Sequence, residues 1–144
     1  MTSTRKAPAP SRRDGIRARS RPGGSIEIKR VYDEPAAEDG VRVLVDRLWP
    51  RGIAKAAQKW HHWVPELAPS TKLRKWYGHD PARFAEFEQR YRAELAGEAD
   101  RIAWLRTEVR RGRVTLLTAS RDLALSHVVV LRKVLAGSRG RRGR

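Results

Sequence analysis

Two short stretches of the chain hold residue types suited to binding an anion. Residues 41–52, Val-Arg-Val-Leu-Val-Asp-Arg-Leu-Trp-Pro-Arg-Gly, run from an apolar segment straight into Asp46, Arg47, Trp49 and Arg51. Residues 118–122, Thr-Ala-Ser-Arg-Asp, place Ser120, Arg121 and Asp122 after a second apolar segment and directly before a helical pattern. A guanidinium grips phosphate or carboxylate through two parallel hydrogen bonds, and the free N–H groups of a helix start favour negative charge. Arg47, Arg51 and Arg121 are therefore expected to clamp an anion, with Ser120 donating to it. Trp49, set between Arg47 and Pro50-Arg51, could stack on a planar ligand or on an arginine. The alternative is internal: Asp46 and Asp122 neutralise these arginines, and Ser120 or Asp122 does no more than cap the helix.

A histidine in a turn beside a carboxylate could transfer protons, and His79-Asp80 has that form. Asp80 is explained as the N-cap before Pro81, which leaves His79, with Asp122, as the pair expected to act as acid and base if the protein is an enzyme. Hydrolysis or transfer at a phosphate or glycosidic centre would suit such groups. His127, early in the last helix, either points into the same crevice or packs. Adjacent His61-His62, with no i to i+4 repeat and no acidic cluster nearby, is poor spacing for a metal, so no metal and no cofactor are expected. The chain has no cysteine, which rules out a disulfide, a thiol nucleophile and a Cys-based zinc or iron–sulfur site.

These residues must be positioned by strands and helices. Apolar, β-branched runs at about 26–32, 41–46 and 113–119 are expected as three or more strands, and the first has room for a bulge before Val31. Residues 33–40 are too few for a crossover helix, so the second strand should be antiparallel to the first or separated from it, giving a mixed sheet. Residues 53–59 suit a short helix. Ser70 and Gly78 bracket a helix over 71–77, and Asp80-Pro81 opens another whose stripe is Phe84, Phe87, Tyr91 and Leu95. A third is expected over about 100–111 on Ile102, Leu105 and Val109, and a last one through Leu123, Val128, Leu131 and Leu135. Helices between the second and third strands allow those strands to be parallel, and in open sheets ligands bind beyond the carboxyl ends of parallel strands. Both arginine loops would then face one crevice.

The formal charge of +16 suggests nucleic acid until it is divided along the chain. Residues 1–24 carry +6 and residues 137–144 carry +4, leaving +6 for residues 25–136. The two ends are expected as disordered basic tails with salt-sensitive, nonspecific affinity for polyanions, flanking one domain over 25–136. No apolar run follows Arg12-Arg13 and none approaches a membrane span, so a cytoplasmic protein without membrane contact is expected.

Val-Leu-Val-Asp-Arg-Leu-Trp-Pro-Arg-Gly (43–52), Leu-Ala-Pro-Ser (67–70), Leu-Arg-Lys-Trp-Tyr-Gly-His-Asp-Pro (73–81), Arg-Tyr-Arg-Ala-Glu-Leu (90–95) and Val-Thr-Leu-Leu-Thr-Ala-Ser-Arg-Asp (114–122) together resemble the YeaO-like proteins, domain of unknown function 488. The resemblance spans about residues 26–136 and implies a small bacterial α/β domain with no established activity. The signature positions it matches include Arg47, Trp49, Arg51, Arg74, His79, Asp122 and His127, and it is the resemblance that brings Arg74 into the expected binding set. Ser126 departs from it, standing where similar proteins tend to have Asn. The expectation is thus a small α/β domain binding a phosphate, nucleotide or sugar phosphate. The alternative is a nucleic-acid-binding or regulatory module using its tails and core arginines.

Overall fold

The computed structural model describes residues 25–141; the expected basic arm at 1–24 and the last three residues lie outside them. The fold is a small α/β domain. Four strands, β1 (Ile26–Arg30), β2 (Val41–Leu44), β3 (His62–Trp63) and β4 (Val114–Thr118), form one sheet in the order β1-β4-β2-β3. Every pairing is parallel: Ile28 faces Leu116 in β1–β4, Val43 faces Leu116 in β2–β4, and Leu44 faces Trp63 in β2–β3.

The expected mixed sheet is therefore corrected to a parallel one. β1 and β2 are indeed separated, because β4 lies between them, and residues 31–40 return the chain to the start of β2 with no α-helix, only a 3-10 turn at Ala37–Asp39. Ten residues could reach about 33 Å if fully extended, roughly twice the length of a five-residue strand, so the connection spans back past β4 even with a turn and a 3-10 turn in it. Gly40 makes the return tight: its φ is 65°, and a Cβ there would lie 2.1 Å from the Arg113 carbonyl oxygen. Val41 N–H donates to that same oxygen at 3.0 Å.

Alternation along the strands sorts the two faces. Val43, Val45, Val114 and Leu116 point to a large core with Leu67, Leu73, Tyr77, Phe87, Tyr91, Leu95, Ile102, Leu105, Val128 and Leu131. This is the helical face, built from α1 (Thr71–Tyr77), α2 (Phe84–Ala96), α3 (Ala99–Arg111) and α4 (His127–Arg141). The expected caps are present: the Ser70 hydroxyl accepts from Leu73 N–H, and Gly78 ends α1 in the left-handed region at φ 54°. Asp80 caps a 3-10 turn, Pro81–Arg83, that leads into α2. Phe87, Tyr91 and Leu95 of the expected stripe are buried. The opposite face carries Leu44 and Leu117 with Val31 and Trp60, covered only by irregular chain. Here residues 53–59 form no α-helix; a single 3-10 turn, Lys55–Ala57, is all that a stretch without buried residues supports. α4 continues through Arg141, into the segment expected as a basic tail. No helix among the described residues is long and apolar enough to cross a membrane.

Candidate functional site

Where the strands end, the chain leaves a cleft of about 510 Å³, a size ordinary for a small-molecule site. The β2 exit supplies Asp46, Arg47, Trp49 and Arg51; the β4 exit supplies Ser120 and Arg121; α1 and its C-terminal turn supply Arg74, Tyr77 and His79; the start of α4 supplies His127. The parallel register brings the two loops together, since Leu44 sits opposite Leu117 and Val45 N–H donates to the Leu117 carbonyl at 3.0 Å. Of the residues expected to bind or react, Arg47, Trp49, Arg51, Arg74, His79, Ser120, Arg121 and His127 all line this cleft. Asp122 does not. Its carboxylate accepts from Ala124 N–H at 3.1 Å and caps a 3-10 turn, Leu123–Leu125, that separates the loop from α4.

Asp46 is the one carboxylate in the cleft lining, and it is already engaged. It accepts from the Thr118 hydroxyl at 2.7 Å and from Ala119 N–H at 2.8 Å, with His127 Nε2 3.4 Å away. The same His127 nitrogen contacts the Val45 carbonyl, and the side chains of His127 and Asp46 are only 11% and 15% exposed. The internal alternative therefore holds for Asp46 only in part: it ties the two loops to α4 through Thr118 and His127, and it is not paired with an arginine. Ser126, the departure from the resembled pattern, is buried and bonds the Leu123 carbonyl at 2.7 Å, leaving the His127 contact to the strand end intact.

None of Arg47, Arg51, Arg74 and Arg121 forms an ion pair among the described residues, and all four are exposed. Arg47 is instead aimed by backbone carbonyls: its Nε donates to Pro69 O at 3.2 Å and its Nη2 to Ala68 O at 3.1 Å. Carbonyls orient a guanidinium without cancelling its charge, and its remaining N–H groups stay available. Trp49 is rigidly seated. Its indole packs edge-on against Trp60 at 5.0 Å and Trp63 at 5.6 Å, and its N–H donates to the Ile53 carbonyl.

The floor is aromatic. Tyr77 stacks on Phe87 at 4.2 Å and donates its hydroxyl to the Leu125 carbonyl at 2.6 Å. Burial, then the negative charges of Asp122 and Asp80, push the Tyr77 phenol up, which keeps that donor protonated. Behind it, burial drives the Tyr91 phenol well up, and its hydroxyl holds the Leu67 carbonyl.

Arg30 and Tyr32 also line the cleft, and the sequence reading passed them over. Arg30 donates to Ser120 O at 3.0 Å and Ala119 O at 3.3 Å and lies over the Tyr32 ring at 5.0 Å, while the Tyr32 hydroxyl donates to Arg51 O at 2.9 Å. Strand direction was the missing signal. Parallel pairing sets Arg30 opposite Thr118, at the cleft edge; an antiparallel first strand would have sent it to the other end. Among the described residues no cluster of His, Asp and Glu is arranged to hold a metal ion.

The sequence model of a family described as "Inactive DUF488-N3 subclade" matches residues 25–142. Among curated relatives, an uncharacterized protein of Mycobacterium tuberculosis is 46% identical over 112 residues, covering 78% of this chain and 94% of its own. A Mycobacterium bovis protein matches to the same extent. The uncharacterized protein YeaO of Escherichia coli is 39% identical over 107 residues, which is 74% of this chain and 93% of YeaO. No solved structure matches the chain significantly.

Proposed function

Since the chain belongs to the YeaO-like DUF488 family, in the subclade described as inactive, we propose that its cleft binds a small phosphorylated or nucleotide-like anion without turning it over. One observation carries this: five arginines, Arg30, Arg47, Arg51, Arg74 and Arg121, line one cleft with no ion-pair partner among the described residues. Like charges held together in a folded protein repel and weaken the fold unless something neutralises them. An anion bound bidentately by guanidinium groups does so, and Trp49 supplies a fixed apolar wall beside it. Binding without chemistry is supported from two sides. The matched subclade is described as inactive, and Asp122, expected as half of an acid–base pair, is occupied as a cap outside the cleft lining.

A thermal-shift screen of the full chain against inorganic phosphate, ADP, ribose 5-phosphate and short oligonucleotides tests the reading. A ligand that binds the folded state alone raises the unfolding midpoint. Expected is a rise with phosphate, ADP or the sugar phosphate that disappears in both Arg47→Ala and Arg121→Ala. A response to oligonucleotides alone, unchanged in those variants, would contradict it and favour a nucleic-acid-binding module.

A further inference from the structure

We propose that His79 contacts the bound anion directly, and that position 79 keeps its strained backbone in order to present an imidazole there. The inference rests on the cleft being the anion site. His79 is the one non-glycine residue with positive φ among the described residues, at 57°. In that region the Cβ of an L-residue crowds its own backbone, a strain that glycine does not have.

The local geometry shows why the backbone must be left-handed. Gly78 N–H donates to Arg74 O at 3.1 Å and closes α1, while Asp80 N–H donates to Tyr77 O at 3.0 Å and the Asp80 carboxylate accepts from Ala82 N–H to open the next turn. Gly78 and His79 make the link, and both are left-handed. Glycine at both positions would be the least strained solution. A histidine stands at the second, exposed and in the lining of the cleft that Arg74 also lines.

Its ring does not account for itself structurally. It leans on Tyr77 at 5.4 Å in a tilted contact, but Tyr77 is already fixed by its stack on Phe87 and its bond to Leu125. No hydrogen bond joins the imidazole to any described residue. A strained residue whose imidazole nitrogens have no partner among the described residues, placed in the lining of a cationic cleft, is spent on a ligand; strain of this kind persists at sites where a side chain is needed. An imidazole donor from the C-terminal turn of α1 would add a third direction of contact to the arginines of the two loops.

The test separates strain from contact, because His79→Gly should move stability and affinity in opposite senses. The full-length wild type, His79→Gly, His79→Asn and Arg121→Ala are titrated calorimetrically with inorganic phosphate and with ADP, and their melting midpoints are measured without ligand. Expected for His79→Gly is an equal or higher midpoint with affinity weakened about tenfold, the scale of one charged hydrogen bond. His79→Asn, which tolerates the left-handed backbone and keeps a donor, should fall between. Wild-type affinity in His79→Gly, with loss in Arg121→Ala, would overturn the His79 assignment alone. A lowered midpoint in His79→Gly would also overturn it, since the ring would then be structural. Absence of binding by the wild type to either probe would overturn the cleft reading itself.

Discussion

Arg42 and Arg47 come from the same stretch of chain and are treated in opposite ways. Arg42, 3% exposed, lies beneath the 31–40 connection on the sparsely covered face of the sheet. There it bonds the Asp39 carboxylate and the Lys59 carbonyl, and Asp39 also accepts from Lys29 at 3.1 Å and from Ala36 N–H at 3.0 Å. Thr115 closes the cluster by donating to the Asp39 carbonyl at 2.8 Å. Arg47, at the β2 exit, bonds two backbone carbonyls and no other group among the described residues, and stays exposed. The first arginine is compensated and built into the fold. The second is oriented but forms no ion pair among the described residues, although Glu66, Glu94 and Glu98 line a smaller pocket that it shares; that is the arrangement on which the proposed anion site depends.

The comparison is broken most severely at Asp39. Asp39→Ala leaves Arg42 buried without its counter-charge and should destabilise the protein by about 3–5 kcal/mol in urea denaturation. Replacing both partners by apolar residues, Asp39→Leu with Arg42→Met, should recover most of that loss; a double variant as unstable as the single would show that the charges themselves hold the connection.

Acid provides a gentler version of the same break. Burial alone would raise the Asp39 carboxyl, but the hydrogen bonds from Ala36, Lys29 and Arg42 outweigh it and hold it below the usual range. A carboxyl lowered on folding stabilises the protein above its unfolded value, about 3.9, and that contribution is lost as pH falls through the lower folded value. The urea midpoint of the wild type should therefore drop below about pH 4, and Asp39→Asn should show a shallower fall over the same window.

Trp49 belongs to both regions, as cleft wall and as packing against Trp60 and Trp63. Trp49→Ala should cost about 2–3 kcal/mol, below the range for a fully buried tryptophan because the side chain is only half-buried. At the other extreme, Arg121→Ala should change stability by no more than about 0.5 kcal/mol, as expected of an exposed residue without an ion pair. A loss of 2 kcal/mol or more, a threshold set at roughly four times that surface scale, would show a structural partner for Arg121.

The helices and the cleft were legible in the sequence for different reasons. Ser70, Gly78 and Asp80-Pro81 act within a few residues of their own chain, so α1 and the start of α2 follow from local chemistry. Arg47, Arg51, Ser120 and Arg121 could be placed together because strand ends share an edge whenever β2 and β4 are parallel. What sequence could not supply was non-local. The insertion of β4 between β1 and β2 depends on pairings across some ninety residues, and it decides that Arg30 joins the cleft. β3 is two residues long, too short for any periodicity, and is defined by its bonds to β2. Asp122 and Asp46 have the same side chain and similar neighbours in sequence, yet one caps a 3-10 turn while the other bridges Thr118 and His127.

The proposed small-anion pocket stands or falls with its arginines, which form no ion pair among the described residues. Calorimetric titration of the full chain with ADP, inorganic phosphate and ribose 5-phosphate at about 0.15 M salt, where the Debye length is near 8 Å, tests it most directly when repeated on the Arg47→Ala/Arg121→Ala double variant. Expected is saturable one-to-one binding by the wild type, weakened by at least about a hundredfold in the double variant, which still folds. No saturable binding of ADP, inorganic phosphate or ribose 5-phosphate by the wild type, or equal binding by wild type and double variant, would overturn it.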